Sequence, residues 1–76
     1  MISRDQRPES LQEQIADDIR LLIKSGVFSG RIPSEPKLEE MYGVSRVTIR
    51  GAISILTEAN IVKPVRGRGT YIIGKP

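Results

Sequence analysis

The chain has 76 residues, a formal net charge of +3, and neither cysteine nor histidine. That length supports one small domain, which no disulfide or thiolate metal site can staple and which lacks the commonest general base and metal ligand. No apolar run approaches the ~20 residues of a membrane span, and no apolar signal core opens the chain, so the expectation is a cytoplasmic, cofactor-free domain that is not an enzyme.

The charge is unevenly placed. Residues 1–43 hold six basic side chains against eight acidic ones, whereas residues 44–76 hold six against Glu58 alone. Such an excess of cations in one half of the chain points to a polyanionic partner more than the overall charge does.

Residues 1–9 are polar and aperiodic and read as a flexible lead-in; the domain is expected over 10–76. Ser10-Leu-Gln-Glu13 has the spacing of a capping box, in which Ser10 caps forward and Glu13 reaches back. Leu11, Ile15, Ile19, Leu22 and Ile23 follow at helical spacing as a core stripe, with Glu13, Arg20 and Lys24 opposite. Gly26 closes this first helix.

Val27 to Ile32 reads as a turn with room for a brief strand. Ser34-Glu35-Pro36 opens a second helix: Ser34 caps, Glu35 suits the positive end of the dipole, and Pro36 stands where no N–H partner is needed. Leu38, Met41 and Tyr42 form its inner face, and Gly43 ends it. Ser45 then caps a third helix after a very short turn. Two amphipathic helices joined in this way form a helix-turn-helix.

At 100° per residue, Ile49, Ala52, Ile53 and Leu56 share the inner side of the third helix, and Arg46, Val47, Arg50, Gly51 and Ser54 the outer side. Two cations one turn apart, a methyl-bearing side chain and two small residues suit a helix that enters a DNA major groove. Gly51 costs about 1 kcal/mol relative to alanine; either close approach to DNA or simple tolerance would explain it. Asn60 can take the left-handed conformation that stops the helix. Ile61 to Val65 and Thr70 to Ile73 are then β-prone runs flanking Arg66-Gly67-Arg68-Gly69, a hairpin with a cationic, glycine-rich tip. Pro64 confines its strand to an edge. The predicted fold is mainly α with a small β-hairpin: a winged helix-turn-helix, three helices followed by a two-stranded wing.

Pro33-Ser34-Glu35, the run Tyr42-Gly43-Val44-Ser45-Arg46-Val47-Thr48-Ile49-Arg50, then Ala52-Ile53, Leu56 and Gly67-Arg68-Gly69-Thr70-Tyr71 resemble the DNA-binding domain of the GntR family of bacterial repressors. The phrasing from Tyr42 to Arg50 is most similar to its HutC-type branch. The resemblance implies sequence-specific binding of double-stranded DNA in transcription regulation, with Ser45, Arg46, Val47, Thr48 and Arg50 at the start of the recognition helix. It also implies Arg66, Gly67 and Arg68 at the adjacent minor groove, and Ser34 and Lys37 as contacts from the second helix.

These roles are chemically reasonable. An arginine fork can bond guanine O6 and N7, Val47 can meet a thymine methyl, and hydroxyl and N–H groups at a helix start suit phosphate oxygens. The longer protein is expected to be a homodimer on a pseudo-palindromic operator, with a small-molecule effector site on a separate C-terminal domain and the isolated domain monomeric. The alternative is a winged-helix module for protein–protein or RNA contact.

Three positions depart from the family pattern. The Gly26–Pro33 segment is shorter than usual, which puts the strand within it at risk. Pro36 replaces an arginine that reaches DNA, leaving Lys37 to substitute. Glu39 replaces a small residue where the second helix packs on the third, so its carboxylate must reach solvent or a partner.

Overall fold

The computed structural model describes residues 10–74, in the order α1 (Leu11–Lys24), β1 (Arg31–Ile32), α2 (Glu35–Tyr42), α3 (Arg46–Glu58), β2 (Val62–Val65) and β3 (Gly69–Ile72). The lead-in expected over 1–9 lies outside the described residues. The strands form one antiparallel sheet in the order β1-β3-β2. The wing hairpin therefore carries a third, two-residue strand.

Helix α1 starts on the expected capping box: the Glu13 N–H donates to Ser10 Oγ at 3.2 Å and the Ser10 N–H to Glu13 Oε1 at 3.2 Å. Ile15, Ala16 and Ile19 are buried, with Leu22 and Ile23 packed against the core. Leu11, expected in that stripe, stands in the first turn and is 50% exposed. Arg20, expected on the outer side, is half-buried. Beyond Gly26 the Phe28 N–H returns to the Leu22 carbonyl at 3.1 Å, which turns Phe28 inward to join the core.

The shortened segment keeps its strand. The Arg31 N–H bonds the Ser29 carbonyl at 2.9 Å, a tight turn that uses few residues, and the Ile72 N–H bonds the Gly30 carbonyl at 2.9 Å. Arg31 and Ile32 then pair with Tyr71 and Thr70 of β3. Compression of the turn, rather than loss of the pairing, absorbs the missing length.

Helix α3 organises the core by packing against α1, α2 and β2. Ile49, Ala52, Ile53 and Leu56 are all buried, as the helical spacing requires. Leu38 of α2 is fully buried, and Tyr42 packs at the edge. Met41, expected beside them, is 45% exposed: α2 is only eight residues long, and its last turn overhangs the core. Glu39 is half-buried, and no charged side chain is sealed in the core among the described residues. The α2–α3 turn depends on Gly43, which caps α2 in the left-handed conformation at φ +65° and donates its N–H to the Glu39 carbonyl at 2.8 Å. After α3, Asn60 takes φ +61° as expected. Pro64 sits on β2, an edge strand. No helix among the described residues is long and apolar enough to cross a membrane.

Two glycines mark close approaches. A side chain on Gly51 would run into the Gln12 amide of α1, whereas one on Gly74 would run into the Asn60 backbone carbonyl. Gly51 therefore accommodates α1, a use the sequence reading did not consider. Gln12 can swing into solvent, so Gly51→Ala is expected to stabilise the domain by about 0.5–1 kcal/mol through helix propensity. The Asn60 backbone cannot move so freely, so Gly74→Ala is expected to destabilise by about 1–3 kcal/mol. Urea unfolding at constant slope measures both.

Candidate nucleic-acid interface

The start of α3 is built by one side chain. Ser45 Oγ accepts the Thr48 N–H at 3.4 Å and lies 3.3 Å from Thr48 Oγ1. This couples the two hydroxyl residues expected at a phosphate and leaves the next turn to face outward. Arg46 and Arg50 are exposed, and Val47 is 74% exposed. A valine this open on a helix whose opposite face is sealed is left without an apolar partner inside the domain.

Arg50 is not free. Its Nε lies 3.6 Å from Glu35 Oε2, with both side chains in contact with solvent. Glu35 was assigned to the dipole of α2; it stands in the first turn of that helix and also holds Arg50. The signal was obscured because the two residues stand on different helices, where spacing in the chain carries no periodic relation. An ion pair this exposed contributes under ~1 kcal/mol to stability, so its importance lies in where it puts the guanidinium.

The second helix reaches the wing. Ser34 Oγ caps α2 by accepting the Lys37 N–H at 3.4 Å. Ser34, Glu35 and Pro36 line a groove whose far wall is Pro64, Val65, Arg66 and Gly67. A neighbouring groove runs from Glu35 and Arg50 past Ser54 to Pro64 and Thr70. The fold thus brings Ser34, Arg50, Arg66 and Gly67 onto one continuous surface. Lys37 does not line the wing groove; it is exposed, with Nζ 3.9 Å from Glu40 Oε1.

At the wing tip the Arg68 N–H bonds the Val65 carbonyl at 2.8 Å, closing a turn around Arg66 and Gly67. Gly67 has φ +77° and Gly69 φ +110°, conformations that side chains rarely tolerate. Arg66, Gly67 and Arg68 are all exposed. Arg31 joins them unexpectedly: its Nη1 donates to the Arg68 carbonyl at 2.8 Å, and its guanidinium lies 5.7 Å from the centre of the Tyr71 ring. No pattern in the sequence announces this, because a two-residue strand is too short to reveal its register.

The family described as bacterial regulatory proteins, gntR family, matches residues 11–72. The chain belongs to the GntR family. Among curated GntR-like relatives, an uncharacterized HTH-type transcriptional regulator of Rhizobium meliloti is 45% identical over 65 residues, covering 83% of this chain and 27% of that protein. The mannosyl-D-glycerate transport/metabolism system repressor MngR of Escherichia coli is 42% identical over 64 residues, covering 82% and 27%. The chain therefore spans under a third of the length of these relatives.

Among solved structures, the AraR DNA-binding domain in complex with operator ORR3 superposes with a TM-score of 0.76 at 34% identity, over 82% of this chain and 77% of that one. The N-terminal domain of AraR with mutant ORR3 gives 0.78 at 33%, over 84% and 94%. The GntR-family fold here is accordingly a winged helix-turn-helix: three helices and a small antiparallel wing, extended by β1.

The Tyr42 hydroxyl donates to Asp18 Oδ2 at 2.6 Å and ties α2 to α1. Burial, then the hydrogen bond to Asp18 and its negative charge, push the Tyr42 phenol above its ordinary range. Tyr42→Phe is expected to cost about 1 kcal/mol of stability. Because the folded phenol holds its proton longer than the unfolded one, that difference should be full below about pH 10 and shrink as pH rises through the raised value. Unfolding of both proteins across the alkaline range checks the sign.

Proposed function

We propose that this chain is the operator-binding domain of a GntR-family transcription regulator of the repressor type, reading double-stranded DNA with α3 in the major groove and the Arg66-Gly67-Arg68 wing at the minor groove. The supporting observation is the placement of Arg46, Val47 and Arg50, exposed on one face of α3 whose other face is sealed, beside a cationic wing. The AraR DNA-binding domain, which has the same fold, has been solved with operators ORR3 and ORE1.

In this reading Arg46 and Arg50 present forks to guanine edges and Val47 meets a thymine methyl. Ser34, Ser45, Thr48 and Lys37 contact phosphates and set register. Lys37 stands in for the arginine that Pro36 replaces, and must release Glu40 to do so. The wing glycine lets the backbone approach the duplex while Arg66 and Arg68 favour a narrow minor groove. Glu35 holds Arg50 in place and opposes indiscriminate phosphate contact.

A domain of this size buries little DNA, so two copies on a pseudo-palindromic site supply useful affinity. Dimerisation and a small-molecule effector site belong to a further C-terminal domain of the whole protein, which works in the cytoplasm. Placement in the HutC-type branch rests on the Tyr42–Arg50 phrasing.

Selection from a randomised duplex library at increasing salt tests the reading; sequence preference with a steep salt slope is expected, and absence of both refutes it. Arg46→Ala or Arg50→Ala should each cost roughly 1–3 kcal/mol and relax preference at one position. Arg66→Ala or Arg68→Ala should weaken all sequences more evenly and reduce the salt slope by about one. Glu35→Gln should tighten binding to random duplex and narrow the gap to the selected site. Gel-shift titrations with both duplexes separate these outcomes.

A further inference from the structure

We propose that Arg31 is a positioning residue for the wing, fastening the Arg66-Gly67-Arg68 tip to the body of the domain so that it meets DNA already oriented. The inference rests on the operator-binding reading above and adds a residue to its machinery.

Arg31 and Tyr71 are directly paired across β1 and β3, so their side chains leave the sheet on the same face. Gly69, two residues before Tyr71, opens that face toward the tip. The Arg31 side chain takes this diagonal: its Cδ would lie 3.5 Å from a Cβ at Gly69, ordinary contact distance. Its guanidinium then donates to the Arg68 carbonyl at 2.8 Å and lies over the Tyr71 ring. One side chain thus spans from β1 to the wing tip and bonds its backbone.

Within the hairpin the turn is closed by the Arg68–Val65 backbone bond above the Val65–Gly69 pair, and β1 pairs with β3 only as far toward the tip as Thr70. A charged donor to a carbonyl is stronger than a neutral one, and a planar fork can bond in its plane while stacking on a ring, which an ammonium cannot. The Arg68 carbonyl is engaged through its backbone, so the Arg68 side chain remains available to DNA. Arg31 acts through the wing, whereas Arg66 and Arg68 act from it.

The test compares Arg31→Lys, which keeps the charge, with Arg31→Ala, alone and in the Arg66→Ala/Arg68→Ala background, on a duplex selected by the unaltered chain. Both Arg31 variants should bind about three- to tenfold more weakly, up to about 1.4 kcal/mol, with the salt slope retained. Arg31→Ala should add no further loss once the two wing arginines are gone. Binding of Arg31→Lys at the unaltered level, or an equal loss in the wing-deficient background, would overturn the assignment and make Arg31 a plain charge or a direct phosphate contact.

A second readout is independent of DNA. Hydrogen exchange of the Arg68 amide should accelerate about tenfold in Arg31→Ala, while amides of α1 and α3 keep their protection. Unchanged Arg68 exchange overturns the positioning role. If the unaltered chain selects no sequence while exchange behaves as expected, the operator reading fails and the wing fastening stands.

Discussion

Everything in this domain depends on one side of α3 being sealed. Ile49, Ala52, Ile53 and Leu56 are buried and face α1, α2 and the root of the wing. Because a helix is rigid about its axis, locking that face locks the bearing of Arg46, Val47 and Arg50 on the other. The apolar core and the exposed face that carries these side chains are two sides of a single helix. A substitution that loosened the first would blur the second before the domain unfolded, since side chains must be held close to productive geometry for bidentate recognition. The same economy explains why so small a core is sufficient: one central helix is shared by α1, α2 and β2, so few residues do much of the packing.

Most of this was legible in the residues. The three caps at Ser10, Ser34 and Ser45, the stop at Asn60, the inner face of α3 and the edge position of Pro64 follow from local rules, because each is decided within one helical turn or one strand. Leu11 and Met41 were misplaced for a common reason. Periodicity gives the direction of a side chain, but not whether another element extends far enough to cover it, and both residues stand in terminal turns. Arg20 is the converse case, drawn into a half-buried setting despite an outward phase.

What the sequence did not disclose is relational. The pairing of Glu35 with Arg50 joins two helices, the engagement of the wing by Arg31 joins β1 to a turn distant in the chain, and the fit of Gly51 to Gln12 joins α3 to α1. None follows from spacing, because each depends on how elements dock. In the short Gly26–Pro33 segment, length counting left the strand at risk of being altered or lost, and backbone bonding at Ser29 and Gly30 keeps it as a two-residue strand. The expected contact residues, Ser34, Lys37, Ser45, Arg46, Val47, Thr48, Arg50 and the wing tip, came from a resemblance together with phase, and all of them are exposed except the half-buried Thr48.

The Glu35–Arg50 pair has a consequence in time. Two solvated side chains 3.6 Å apart part and rejoin by rotamer motion in picoseconds to nanoseconds, far faster than a protein and a duplex can orient against each other. The carboxylate therefore cannot delay Arg50 in finding a base. In the operator-binding reading it acts instead each time the arginine lets go of a base, as an alternative partner within reach, so contacts that only equal it are brief and contacts that exceed it persist. In that reading, a residue of this kind shortens the visits to wrong sites.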